Sequence, residues 1–430
     1  MTMSLWAFRF LLWFICVLFI QPQNRFTFLH PLHIGDIVAI AAVGLHFLAC
    51  SKERRPFIRL GGASRAALVL LLLGLYAQYA GAFQTNTAWN QAIDVMVKVC
   101  VVVFILEASA LTPQRVWAVQ ATLMLCTLWW VKAGLRLSAA GATYVGDRIM
   151  GAAVSMISNP NGFAYLMTCY VPLFFYFYWQ ESRKAWKMVY LFVAFAAIFV
   201  VLQTGSRTGM ISMAFTMAFM MGRLLRTDRK MVVIGAAALF VVTGFVSEGN
   251  IERFKTIRHS IDSFFHGSMK EGENIDEQSS VERYYRNKHT WEMIKLHPFG
   301  LGTDPDKTLF PEEHDFAIGE AHNELLMAGR TMGLPGMALY LAAVWMPFYY
   351  GRRIRKLVGR SMPGYALLGW LFQAQAVAFA VGGQFVPGCF NYPQMILVAS
   401  ASALWLNLSG ASAPAAGAAW AVPATGSVRA

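Results

Sequence analysis

His322 and Asn323 head the stretch "EAHNELLMAGRTMGLPG". An imidazole placed where a polar loop gives way to an apolar run can take a proton from a hydroxyl nucleophile, provided it stays neutral. Nearby arginines would keep it neutral, because a cation disfavours a second positive charge beside it. The competing reading is a helix-start histidine with an ordinary structural hydrogen bond. Upstream, Arg283 and Arg286 stand three apart in "SSVERYYRNKHTWEMIKLHPFGLG". On a helix they share one face and form a two-armed clamp suited to phosphate. Otherwise, with Glu282 and Lys288, they are a solvated face.

Two more arginines belong to the same chemistry. Arg207 lies in "QTGSRTGM", a turn between two apolar runs. Gly205 and Gly209 let the backbone approach a ligand closely, and Ser206 and Thr208 can donate hydrogen bonds. A helix beginning near Thr208 adds favourable potential for an anion. The alternative is an interfacial arginine snorkelling to lipid phosphates. Arg148, in "GDRIMG", has Asp147 beside it as a ready local partner. In the next turn, "SNPNGFAYL", Asn159 and Asn161 are accounted for by helix-start chemistry. A metal is weighed on "GTDPDK" and "EEHD", which gather Asp304, Asp306, Glu312, Glu313, His314 and Asp315. Oxygen ligands of this kind suit a divalent cation. Their spacing defines no site, and acidic loops are commonly just solvated, so no metal is expected.

These residues need a scaffold, and the composition says which. The chain has 430 residues, 57% hydrophobic and 14% charged, where soluble domains average about 25% charged. It reads as an all-α polytopic membrane protein. A span needs about 20 apolar residues. Twelve segments qualify, near 3–20, 35–50, 66–83, 92–111, 115–137, 159–180, 188–203, 208–224, 231–246, 333–350, 364–386 and 391–408. The first is long and aromatic and lacks a small-residue cleavage site, so it is expected to span rather than be removed. Five of the six cysteines lie inside apolar runs, which argues for helix packing over a disulfide framework.

The formal net charge of +13 is explained by topology and implies no nucleic-acid partner. The loops 51–65, 181–187, 222–230 and 351–360 hold 17 of the 36 Lys and Arg residues, whereas the short loops on the other side hold only Arg25, Arg148 and Arg207. The bias puts both termini in the cytoplasm and the arginine turns outside. One outer connection, 247–322, is long and polar, with 15 of the 23 acidic residues and 6 of the 9 histidines. The expected organisation is helices 1–9 over 1–246, an outer helical cap over 247–322, helices 10–12 over 323–408, and a disordered tail over 409–430, rich in Ala, Pro and Gly. Within the cap an amphipathic helix is expected, with Ser279 or Ser280 as N-cap and Pro298 and Gly300 ending it. Outside the cytoplasm there is no ATP, so synthesis there draws on an activated, lipid-linked substrate.

Taken together, "TGSRTG", "VERYYR…HPFGLG" and "HNELLMAGRTMGLPG" resemble the signatures of the O-antigen ligase and polymerase superfamily. That superfamily places a Ser-Arg turn before a span. An Arg-bearing loop helix ends in a Pro-Phe-Gly-x-Gly-like turn, and a His-Asn follows, nine residues before a Gly-x-x-Gly. Here the last spacing runs from His322-Asn323 to Gly333 and Gly336. "DRIMGAAVSMISNPNGFAYL" is similar to the family's Arg-then-Asn-Pro-Asn region. The resemblance covers about Arg148 to Tyr340.

It implies a twelve-helix, C-type glycosyltransferase-like fold in the bacterial inner membrane, with a periplasmic active site. It implies transfer of a polysaccharide from undecaprenyl pyrophosphate to a hydroxyl of the lipid A-core, with no metal cofactor. His322 would be the general base; Arg148, Arg207, Arg283 and Arg286 would hold the pyrophosphate, with Arg283 the better fit in distance to Pro298. O-antigen polymerases typically carry two large outer loops, and protein O-oligosaccharyltransferases are usually longer. The single large loop therefore favours a ligase. A lipid-linked sugar transporter would show two related halves, and the chain shows none.

Overall fold

A computed structural model describes residues 3–80, 86–141, 148–149, 159–227, 235, 244–255, 257, 275–302 and 321–410. Among the described residues all regular structure is helical, as suits a membrane-spanning protein. Its helices are α1 (Met3–Ile20), α2 (Ile34–Lys52), α3 (Gly62–Ala80), α4 (Asn86–Ser109), α5 (Pro113–Ala139), α6 (Pro160–Gln180), α7 (Lys184–Gln203) and α8 (Arg207–Thr227). They continue with α9 (Glu248–Lys255), α10 (Ile275–Leu296), α11 (Glu324–Val358), α12 (Pro363–Gly382) and α13 (Tyr392–Gly410). Among the described residues, eleven of the twelve expected segments fall on helices of 18 to 35 residues. The remaining one, 231–246, falls largely outside the described residues, as do the acidic cluster at 304–315 and the tail from 411.

Among the described residues, seven helices are both long and apolar enough to cross a membrane: α1, α2, α5, α7, α8, α11 and α12. Helices α6 and α13 have a different composition for a physical reason. Residues Pro160 to Phe177 of α6, except Asn161, are buried, as are Pro393 to Leu404 of α13. A helix surrounded by other helices can carry Tyr, Ser, Asn and Gln that lipid would penalise. Helix α6 packs against α7, α8 and α12; α11 packs against α12, α13 and α3; and α10 lies against α11.

Helix starts follow local chemistry. Asn159 Oδ1 accepts from the Gly162 N–H at 2.8 Å, with Pro160 at the first helical position. Asn323 Oδ1 accepts from the Leu326 N–H at 3.0 Å and caps α11. Two boundaries differ from expectation. Helix α10 begins at Ile275, so Ser279 and Ser280 lie within it rather than capping it. Helix α11 begins at Glu324, nine residues before the apolar run, and crosses a break at Gly333. At 35 residues it is about 50 Å long, well beyond the ~30 Å hydrocarbon layer. Its first two turns are therefore free to build a site.

Candidate active site

The break in α11 is filled by the turn that follows α10. Gly333 has φ 69° and ψ −162°, in the left-handed half of the map that favours glycine. A Cβ there would strike the backbone of Pro298 and Phe299, and a Cβ at Gly300 would strike the Thr331 carbonyl. Three backbone hydrogen bonds replace those the helix loses. Leu301 N–H donates to the Arg330 carbonyl at 2.8 Å, Gly302 N–H to the Thr331 carbonyl at 3.2 Å, and Leu334 N–H to the Pro298 carbonyl at 2.8 Å. "HPFGLG" and "GRTMGLPG" thus fit one another, and the arginine helix α10 is locked to the histidine helix α11.

His322 sits in the half-buried link just before α11. Burial pushes its pKa down to about 4, and the charges of Arg283 and Arg286 on α10 push in the same direction. The imidazole is therefore neutral at pH 7. Both arginines are half-buried, on the face of α10 that reaches His322. Asn323 Nδ2 donates to Gln384 Oε1 at 3.1 Å, tying the same link to the segment after α12.

A second cluster forms where the chain leaves α7 and enters α8. Arg148 donates from Nε to the Thr204 carbonyl at 3.0 Å and from Nη2 to Asn161 Oδ1 at 3.0 Å. Ser206 Oγ also donates to Asn161 Oδ1, at 2.9 Å, while accepting from the Gly209 N–H at 3.1 Å. Gly205 has φ 57°, and a Cβ there would meet Asn250 Oδ1. Asn250, on α9, donates to the Gln203 carbonyl at 3.2 Å. Arg207 opens α8, half-buried, one residue after Ser206.

A buried carboxylate connects the two clusters. Glu324 is fully buried, two residues after His322. It accepts from Tyr340 Oη at 2.7 Å, Asn391 Nδ2 at 3.0 Å and Tyr165 Oη at 3.3 Å, and its N–H donates to the Gly383 carbonyl at 2.7 Å. Tyr165 lies one turn after Asn161 on α6, so their Cβ atoms are roughly 6 Å apart. One face of α6 therefore holds Arg148 and the Ser206 turn through Asn161, and the start of α11 through Tyr165.

Comparison with known families gives two matched segments. Residues 192–341 match the family described as O-antigen ligase. That segment is similar to the O-antigen ligase family. Residues 3–182 match a family of unknown function. No curated protein matches the chain.

The segment similar to O-antigen ligases holds Arg207, Arg283, Arg286, His322 and Glu324, whereas Arg148, Asn161 and Tyr165 come from the other matched segment. The site is therefore built across both. The structure brings His322 together with Arg283 and Arg286, and Arg148 together with the Ser206 turn. Asp147, the local partner weighed for Arg148, lies outside the described residues; the contacts of Arg148 run to Asn161 and Thr204. Asn161 does more than start a helix, since it bridges Arg148 and Ser206. Sequence reasoning passed over Glu324, Tyr165, Tyr340 and Asn391 altogether. An acidic residue in the first turn of a spanning helix was the available signal, because burying it requires partners. Among the described residues no group of three metal-ligating side chains converges.

Proposed function

We propose that this protein transfers a polysaccharide from undecaprenyl pyrophosphate to a hydroxyl of the lipid A-core, on the periplasmic side of the bacterial inner membrane. The observation that carries the proposal is His322: half-buried, beside Arg283 and Arg286, at the head of a capped helix in the segment similar to O-antigen ligases. His322 takes the proton of the acceptor hydroxyl as its oxygen attacks the anomeric carbon. The bond from that carbon to the pyrophosphate oxygen breaks, and undecaprenyl pyrophosphate leaves with the electron pair. Arg148, Arg207, Arg283 and Arg286 bind the diphosphate and stabilise the charge growing on it. A good leaving group needs no strong acid, and four guanidinium groups offset its charge without a metal. Orientation with both termini in the cytoplasm follows from the distribution of cations between the loops.

The charges around His322 suggest how the base can be matched to its task. A group held near 4 is a weak base at pH 7. A diphosphate laid against Arg283 and Arg286 cancels their repulsion of a proton on His322. Donor binding thus raises the basicity of the imidazole when it is needed.

Purified full-length protein given lipid-linked donor and lipid A-core acceptor tests the proposal. His322→Ala should insert and fold as the parent does and lose roughly 10²- to 10⁴-fold in transfer rate. Full activity in that variant removes His322 as the base. Replacing the acceptor by a second lipid-linked repeat separates ligase from polymerase, since only a polymerase elongates it.

A further inference from the structure

At the far end of α11 from His322, roughly 45 Å along the helix, lies a cavity of about 980 Å³ that the transfer chemistry does not use. We propose that it binds a phosphate-bearing anion, and that its natural occupant is the headgroup of an anionic phospholipid.

Five cations line it: Arg223 from α8, Arg352, Arg355 and Lys356 from the last turns of α11, and Arg360 from the link to α12. Among the described residues no carboxylate lines the cavity. Five like charges around one hollow repel one another, and a bound anion relieves that repulsion. Two of the five are fixed in advance. The Arg223 guanidinium lies 5.6 Å from the ring centroids of both Trp179 and Trp370. Arg355 Nη1 donates to Gln373 Oε1 at 2.7 Å. Arg352 and Lys356 are one turn apart and exposed, so both can turn into the same hollow.

The loops on this face are cation-rich, as topology requires. Topology is equally satisfied by scattered cations such as the exposed Arg183 and Lys184. It does not require five to converge on a concavity. The remaining wall points to an amphiphile. Phe219, Phe348 and Leu367 give the cavity an apolar side, and it is far larger than a free phosphate needs. It also lies at the ends of helices long and apolar enough to span a membrane. Basic pockets between spanning helices bind anionic headgroups in this way.

Native mass spectrometry of the detergent-solubilised full-length protein reads this site directly. The probes are cardiolipin, phosphatidylethanolamine and inorganic pyrophosphate. Two variants are compared: the triple Arg352→Gln/Lys356→Gln/Arg360→Gln, and the control Arg183→Gln/Lys184→Gln. All five positions are exposed, so folding is preserved. The expected result is saturable cardiolipin binding, with phosphatidylethanolamine much weaker. The triple variant should lose on the order of a hundredfold in affinity, and the control little. Pyrophosphate binding with the same variant dependence, and no cardiolipin binding, would keep the phosphate chemistry and assign the site to a soluble anion. Binding of neither probe, or equal loss in both variants, overturns the proposal. Because the cavity is remote from His322, its failure leaves the transfer reaction untouched, and the reverse also holds.

Discussion

The depressed pKa of His322 gives the site a pH signature. Folding lowers it from the ordinary histidine value of 6.5 to about 4, through burial first and Arg283 and Arg286 second. Above 6.5 both folded and unfolded chains hold it neutral. Between 6.5 and 4 the unfolded chain binds a proton that the folded one refuses, so this histidine costs stability as pH falls through that window. For catalysis, kcat/KM, which reports the free enzyme, should stay level down to about pH 4 to 5 with respect to this group. The acid limb of kcat, which reports the donor complex, should lie higher, because the diphosphate offsets the arginines. Arg283→Gln should lift the kcat/KM limb part of the way towards 6.5, since burial remains. A free-enzyme limb already near 6.5 would contradict the buried, arginine-flanked site.

Glu324 acts through position. Its carboxylate accepts from two tyrosine hydroxyls and one amide, and so pins the first turn of α11 to α6 and to the segment after α12. Glu324→Ala leaves the two tyrosine hydroxyls and the Asn391 amide without their acceptor and should cost about 1–3 kcal/mol. Because His322 is displaced rather than removed, kcat should fall while the acid limb of the pH profile stays where it was. Thermal inactivation and steady-state rates measured together check this, and a variant with parental kcat would show that the anchor does not matter to the base.

At the scale of elements, the interlock between the turn at 298–302 and the break in α11 fixes the distance between α10 and His322. Gly333→Ala should destabilise the outer half of the molecule. A left-handed backbone costs a residue with a side chain about 1–3 kcal/mol, and the added carbon meets backbone that cannot rotate away. Gly141 is a built-in control: its φ is 61°, yet nothing lies within 4 Å of an added Cβ. Gly141→Ala should pay for conformation alone, so the difference between the two melting temperatures measures the docking. Equal shifts would mean that the turn and the break do not hold one another.

Taken as a whole molecule, most of the fold was legible because its driving force is one-dimensional. Apolar runs of about 20 residues and the alternation of Lys and Arg between loops can be read without knowing any contact. His322 and the arginines were legible through their odd locations: cations on the side that topology leaves poor in them, and an imidazole at the mouth of an apolar segment. The start of α11 was not legible. "ELLMAGRTM" is too polar to count as a span, and it continues the helix only because 298–302 supplies partners from elsewhere. Glu324 was hidden for the same reason, since the residues that satisfy it come from α6, α11 itself and the segment ahead of α13. Binding partners that are distant in sequence leave no local pattern.

The broken α11 also sets a sequence of events in time. The carbonyls of Arg330 and Thr331 and the N–H of Leu334 find their partners only in the turn at 298–302. Hydrocarbon offers no substitute for those partners. On the proposed topology, the first third of α11 cannot settle during membrane insertion until the loop helix has crossed and folded back onto it. On that proposal His322, the proposed base, is assembled last, and a nascent chain whose loop helix has not yet crossed holds no working site.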